Sequence, residues 1–399
     1  MSRSLRWSIG LFAGAALTMA AVPAGAADLK ICLIAAKTGA LEAYAKQTEA
    51  GFMLGLEYLT KGTMKLGDRA ITVIVKDDQL KPDRGKSALE ECYGDDHADL
   101  AVGTTGSPVA LAMLPVAEEA KKVLIVEPAV ADSITGDKWN RYIFRTGRSS
   151  YQDALAGAAA LPADQDVSLG MMALDTAFGR DGVAAFKKAL ATVRPKAAVV
   201  AEEYAAGNTA DFAPYAERLF AALKDKPGKK VIAFIWAGPH PMAKFADMKP
   251  ERFGITLAPG GNILPVMNSW KQFADAEGGI YYYYNFPQNP MNDWLKAEYQ
   301  KRNNAPPDFF VAGGFAAASA VVAGVTKAGS TDTEALIAAL EGLSFDTPKG
   351  VMTFRKEDHQ ALQDMYAWRI KKDAKDNDVL DLVATIPAAA MPLPITNTR

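Results

Sequence analysis

From Asp28 onward, short apolar runs alternate with longer segments in which small and apolar residues return at helical spacing. Residues 28–36, DLKICLIAA, predict an apolar strand stopping at Lys37-Thr38-Gly39, and residues 43–59 carry Gly and Ala at the close-packing positions of a long helix. A second strand over 70–75 ends in Lys76-Asp77-Asp78, and a helix follows over 81–92. The next stretch, 100–135, organises the rest. It reads as a buried strand (100–102), a loop of small residues (103–107), a helix, a strand (123–126) and a second small-residue loop (127–132), which is a βαβ unit. Ser107 followed by Pro108 fits an N-cap serine with proline at the first helical position. Such a loop aims free backbone N–H groups at whatever lies above the helix start, an arrangement suited to a carboxylate. The second loop sits at the carboxyl end of the next parallel strand, where open α/β sheets place ligands. Two adjacent ligand loops without an evident nucleophile or base point to binding rather than reaction.

Around Phe144-Arg145-Thr146-Gly147 the chain leaves this parallel, doubly wound sheet and the pattern restarts. Strands are predicted over 167–174, 197–204, 230–236 and 254–257, with helices over 179–190, 211–223 and 242–248 between them. The run 280–285, with tyrosines at all four positions 281–284, predicts a strand whose side chains alternate faces. Residues 287–326 offer helices split by Ala305-Pro306-Pro307, then come a helix over 333–340 and a last strand over 365–370. The tail, 371–399, is expected to be peripheral.

The N-terminus changes the picture of where the chain works. Arg3 and Arg6 precede an uncharged run over 7–22, and Ala24-Gly25-Ala26 is an A-x-A cleavage site, so 1–26 reads as a signal peptide removed on export. Its apolar run is too short to span a bilayer and no later run is expected to approach one. Without a lipoprotein signal before Cys32, a free periplasmic protein is expected. Removing the segment takes the formal net charge from −2 to −4, which argues against nucleic acid or an acidic membrane surface as partner. The roughly 370 remaining residues exceed one comfortable core and favour two domains. The two cysteines, Cys32 in the first strand and Cys92 near a helix end, are expected as separate buried thiols. Loop 103–107 lacks the lysine of a P-loop, His97, His240 and His359 are far apart, and no nucleophile motif is recognisable. Nucleotide, metal and cofactor chemistry therefore have no support.

In this order, the motifs resemble the Leu/Ile/Val-binding family of periplasmic solute-binding proteins, receptors of branched-chain amino-acid-type ABC importers. The resemblance covers about 28–370. It is carried by Thr38-Gly39 with Tyr44, Val75-Lys76-Asp77-Asp78, Gly103-Thr104-Thr105-Gly106-Ser107, Glu127-Pro128-Ala129-Val130-Ala131, Phe144-Arg145-Thr146, Ala177-Phe178-Gly179, Phe309-Phe310-Val311 and Gly350-Val351-Met352-Thr353-Phe354. It implies an α/β fold of two doubly wound parallel-sheet lobes joined by a three-crossing hinge, the periplasmic binding protein-like I fold. The crossings are expected near Gly147, Tyr284 and Phe354. Lobe 1 then takes 27–147 and 285–354, lobe 2 takes 148–284 and 355–370, and the tail is 371–399.

By the same resemblance, a ligand carboxylate is held by Ser107 and by backbone groups around Val130 and Ala131, in agreement with the helix-start reading. Tyr44, Phe178 and Phe310 match aromatic walls of the cleft, and Trp236 adds a further wall. Two departures bear on the ligand. Ala131 stands where the family commonly has a hydroxyl, and the loop Ala258-Pro259-Gly260-Gly261-Asn262 has no acid where amino-acid receptors place the partner of the ligand ammonium. A buried ammonium without a partner is costly, so either another acid serves, with Asp175 nearest by position, or the ligand has no amine. His240 reads as a solvent-facing histidine at a helix start, and Asp358-His359-Gln360 as a hydrogen-bonded turn beside the hinge. The expected function is a monomeric, non-enzymatic periplasmic receptor delivering an amino acid of branched-chain or hydrophobic type to a membrane permease. The rival ligand is a small carboxylate, aromatic or not, without an α-amine, and a signalling receptor's sensing subunit is the rival role.

Overall fold

The computed structural model describes residues 28–270, 276–372 and 378–397; the expected signal segment, 1–26, lies outside them. The first part of the chain runs β1 (Leu29–Ala35), α1 (Glu42–Leu59), β2 (Lys65–Leu66), β3 (Arg69–Asp77), α2 (Pro82–Gly94), β4 (Leu100–Gly103), α3 (Ser107–Ala120), β5 (Leu124–Val126) and β6 (Ile143–Arg145). The second runs α4 (Ser150–Ala160), β7 (Val167–Leu174), α5 (Ala177–Val193), β8 (Ala197–Ala205), α6 (Ala213–Leu223), β9 (Lys229–Ile235), α7 (Met242–Asp247), β10 (Ile255–Ala258), α8 (Leu264–Ser269) and β11 (Glu277–Ile280). The chain then makes α9 (Pro290–Asn303), α10 (Phe309–Ala328), α11 (Thr333–Leu340), β12 (Ser344–Thr347), β13 (Gly350–Phe354) and β14 (Ala361–Leu362), and closes with β15 (Met365–Lys372) and β16 (Asp378–Ile386).

Two sheets carry the α/β architecture. One has the order β2-β3-β1-β4-β5-β6 and is parallel apart from β2; the other, β10-β9-β7-β8, is wholly parallel. Two small antiparallel sheets complete the lobes. The β12-β13-β14 sheet shares a core with β1 and β4 through Phe345, Met352 and Phe354, while β11-β15-β16 packs on α4 and α8. Parallel strands need crossover helices, and the Ala-rich and Gly-rich faces of those helices are what the sheets bury.

Several expectations are corrected. Cys32 and Cys92 are disulfide-bonded, not separate thiols, because β1 and the end of α2 lie side by side with Cα atoms 6.0 Å apart. The tyrosine run is not an alternating strand: β11 ends at Ile280, and consecutive Tyr281 and Tyr282 are both buried, donating to Phe309 O and Asn292 Oδ1. The third passage between lobes comes after Leu362, later than Phe354, because β14 still pairs with β13. The tail is not wholly peripheral, since β16 pairs along the length of β15. Helix α4 went unpredicted, although Ser149 and Gln152 form a capping box at its start. By length and composition, α10 could cross a membrane, contrary to the expectation; 83% of its apolar window is buried inside the protein.

Helix α10 has that apolar surface because it lies against α1. A Cβ at Gly51 would come within 1.9 Å of Val311 O, and one at Gly314 within 2.0 Å of Thr48 O. This approach sets the start of α10, with Phe309 and Phe310, against Tyr44 at the start of α1. Gly51→Ala is expected to force the helices apart and cost about 2–3 kcal/mol. Urea unfolding should show a lower midpoint at unchanged slope, and an unchanged midpoint would contradict the packing argument.

Candidate functional site

In open α/β sheets, ligands gather beyond the carboxyl ends of the strands where winding reverses. Here the reversals fall between β1 and β4 in the first sheet and between β7 and β9 in the second. The ends of these four strands face a cavity of about 370 Å3 between the lobes, whose lining includes Tyr44, Ser107, Arg148, Phe178, Trp236 and Phe310.

One pole of the cavity favours an anion. Gly106, not Ser107, is the N-cap of α3, and Ser107 is the first helical residue. Its Oγ accepts hydrogen bonds from Val130 N at 3.2 Å and Ala131 N at 3.1 Å. The two amides expected to face a ligand are therefore spent on Ser107, whose own hydroxyl proton remains to be donated. Val130 lines the cavity, whereas Ala131 lies behind it with its carbonyl accepting from Arg145 Nη1 at 2.7 Å.

At the other edge of the 128–130 loop stands Arg148, which sequence reasoning missed. Asp153 accepts from its Nε at 3.0 and 3.1 Å, and Pro128 O accepts from Nη1 at 3.4 Å. The guanidinium also lies over the Tyr281 ring at 4.8 Å. Burial opposes its charge, but Asp153 together with Tyr281 and Glu127 outweighs that cost and holds the group above its usual range. A guanidinium carries more N–H groups than these acceptors use, so Arg148 can still meet an anion. One signal was available in the sequence: an arginine beside the expected crossing at Gly147, just ahead of a Ser-Ser helix start.

Aromatic rings form the walls. Tyr44 packs on Phe310 at 4.5 Å, and Phe310 stacks on Phe309 at 4.2 Å. Phe178 stands on the second lobe at the start of α5, and Trp236 is fixed by donating to Pro239 O at 2.7 Å. Tyr44 also ties the lobes together, since its hydroxyl donates to Asn262 Oδ1 at 2.8 Å and accepts from Gly238 N at 3.1 Å. Beside it, Asp308 Oδ2 accepts from Leu264 N at 2.7 Å. No sequence signal marks these contacts, because the partners of Tyr44 lie about two hundred residues away.

Among the described residues lining the cavity, each carboxylate already has a cationic partner: Asp153 is paired with Arg148, and Glu277 with Lys229 at 2.6 Å. Asp175 is outside the cavity, exposed and bound to Arg180 at 2.7 Å, because it caps the solvent edge of the β7–α5 turn. His240 is half-buried with its Nε2 out of water, not solvent-facing: its ring packs on Phe234 and Trp270, and its Nδ1 accepts from Met242 N. The Asp358-His359-Gln360 turn is buried beside β6, with Arg145 N donating to His359 O at 3.0 Å.

Comparison with known proteins gives three findings. The family model for periplasmic binding proteins matches residues 28–375. A Leu/Ile/Val-binding protein, BraC3, of Rhizobium johnstonii is 26% identical over 89% of this chain and 95% of its own length. Among solved structures, an ABC-type branched-chain amino acid transporter protein of Rhodopseudomonas palustris is 60% identical, with a TM-score of 0.82 over 93% of this chain and all of that one. Another Rhodopseudomonas palustris solute-binding protein, in complex with 3,4-dihydroxybenzoic acid, is 26% identical with a TM-score of 0.78 over 90% of this chain and 98% of its own.

Desolvation of the ring, whose Nε2 is out of water, holds the His240 imidazole down to about 3, against 6.5 for the free group. The unfolded chain protonates this histidine below pH 6.5 while the folded chain leaves it neutral. Its contribution to stability is therefore complete above pH 6.5 and is lost as pH falls from 6.5 toward 3. In paired thermal melts the wild-type chain should lose melting temperature relative to His240→Leu between pH 6.5 and 4. A constant difference across that window would contradict the assignment.

Proposed function

The chain belongs to the periplasmic binding protein family, and from that premise we propose that it is the periplasmic receptor of an ABC importer whose cleft takes a small aromatic carboxylate lacking an α-amine. Export by a cleaved signal peptide, action as a monomer and delivery to a membrane permease are parts of the same reading. One observation carries the ligand class: a cleft walled by Tyr44, Phe178, Trp236 and Phe310 offers Ser107 and Arg148 to a carboxylate, while its carboxylates are already held by Arg148 and Lys229. An α-ammonium bound there would have to break an ion pair or stay without a partner, and either costs several kcal/mol. The related protein in complex with 3,4-dihydroxybenzoic acid supports the same ligand class.

A second reading, a branched-chain amino acid, is favoured by the description of the 60% identical structure and by the name of the Rhizobium relative. It requires Asp153 to release part of its hold on Arg148 and accept the ammonium.

A thermal-shift series on the chain from Ala27 separates the two readings. Benzoate and 3-phenylpropanoate, the counterpart of phenylalanine without its amine, should raise the melting temperature, since a ligand at a hundred times its Kd adds about 2.7 kcal/mol. Phenylalanine and leucine should not; a shift with the amino acids alone would overturn the carboxylate reading. Arg148→Lys keeps the charge but loses the planar fork, and is expected to weaken benzoate about tenfold in calorimetric titration. An unchanged Kd would remove Arg148 from the site.

A further inference from the structure

Resting on the carboxylate reading above, we propose that the cavity continues beyond the cleft as an apolar channel into the second lobe, and that it selects an elongated aryl-alkyl carboxylate with a hydroxyl at its far end.

The cavity's lining does not stop at the carboxyl ends of the strands. It includes Val231, Ala233 and Ile235, alternate residues of β9 that share one face, Ala154 and Gly157, which share one face of α4, and Leu161 just past the end of that helix. Two rulers agree on its depth. From Ile235 back to Val231 a strand covers about 13 Å, and from Asp153 to Ala160, the last residue of α4, a helix covers about 10 Å, with Leu161 one extended step beyond. A ligand seated at Ser107 and Arg148 with a short side chain would leave that depth empty, and an unfilled apolar void forfeits the contacts of its walls.

The channel has a floor and a sealed flank. At the amino end of β9, Lys229 donates to Glu277 Oε1 at 2.6 Å, and the two side chains are only 24% and 13% exposed. Glu277 lines the cavity, so this pair is the polar group that the far end of a ligand meets. On one flank β11 lies directly on α4: a Cβ at Gly279 would come within 2.5 Å of Ala156 Cβ and 2.6 Å of Gly157 N. The walls between the two ends are apolar. The site is thus anionic-ligand-seeking at the cleft, apolar along its length and hydrogen-bonding at its floor. That sequence of environments matches a carboxylate, an aryl-alkyl body and a terminal hydroxyl.

Calorimetric titration with benzoate, 3-phenylpropanoate, 3-(4-hydroxyphenyl)propanoate and 5-(4-hydroxyphenyl)pentanoate tests the inference. The best longer acid should bind about tenfold or more tightly than benzoate, as added buried methylenes and ring contacts predict. Val231→Phe, which fills the deep part, should raise the Kd of that acid at least about tenfold relative to benzoate; Val231→Leu serves the same end if phenylalanine impairs folding. Glu277→Gln should shrink the advantage of the hydroxylated acid over its unhydroxylated counterpart. If benzoate binds and the longer acids gain nothing, or if filling the channel leaves their relative affinity unchanged, the channel inference falls while the carboxylate reading stands. If leucine binds and none of the acids does, both fall.

Discussion

The half-buried ion pair between Arg148 and Asp153 is the interaction around which hinge and cleft are built. Two charges removed from water are tolerable only when they are paired and further hydrogen-bonded, and their removal singly is more costly than their joint replacement. Here the pair joins the first passage between the lobes to the start of α4, and the guanidinium lies over Tyr281 from the second passage. Gln363, from the third, donates to Thr146 O in the first and accepts from Lys349 Nζ at 2.7 Å. Burial pushes the Lys349 ammonium down to about 8 although Glu127 favours its charge. The three passages are thereby fixed to one another by a compact polar network, and its cationic edge faces the ligand space.

Among the described residues, the lobes that this hinge joins meet across the cleft through few polar contacts. Tyr44 with Gly238 and Asn262, and Asp308 with Leu264, clasp them across the cleft, and Ser133 on the first lobe donates to Asp181 on α5. Each such bond has a net worth of about 1 kcal/mol. A clasp of that size leaves opening and closing within reach of a ligand's binding free energy, which shifts the population only as far as its preference for the closed form allows. Tyr44 serves both tasks, since the same ring forms a wall of the cavity.

The architecture was legible because parallel α/β units write themselves in alternating apolar runs and helical spacing: β7, β8 and α11 lie where the pattern places them within a residue. Ser107, Tyr44, Phe178, Trp236 and Phe310 likewise come together in one cavity. What was not legible depends on tertiary neighbours. Whether Ser107 caps its helix or accepts from the 130–131 amides is decided by the next loop, and the burial of Tyr281 and Tyr282 by α9 and α10. The same limit explains the disulfide: spacing cannot say that Cys32 and Cys92 lie side by side. Asp175 failed as a site residue because a strand-end position does not say which way the side chain turns, and Arg180 one helical turn on offered it a partner.

The proposed binding mode holds a carboxylate through Ser107 and Arg148 and leaves an α-ammonium without a partner. Its most direct test is the identity of the solute carried by the protein as isolated from the cells that make it, released by denaturation and identified by mass spectrometry. The account predicts an aryl carboxylate without an α-amine, near one equivalent per chain. One equivalent of leucine, isoleucine or valine would contradict it.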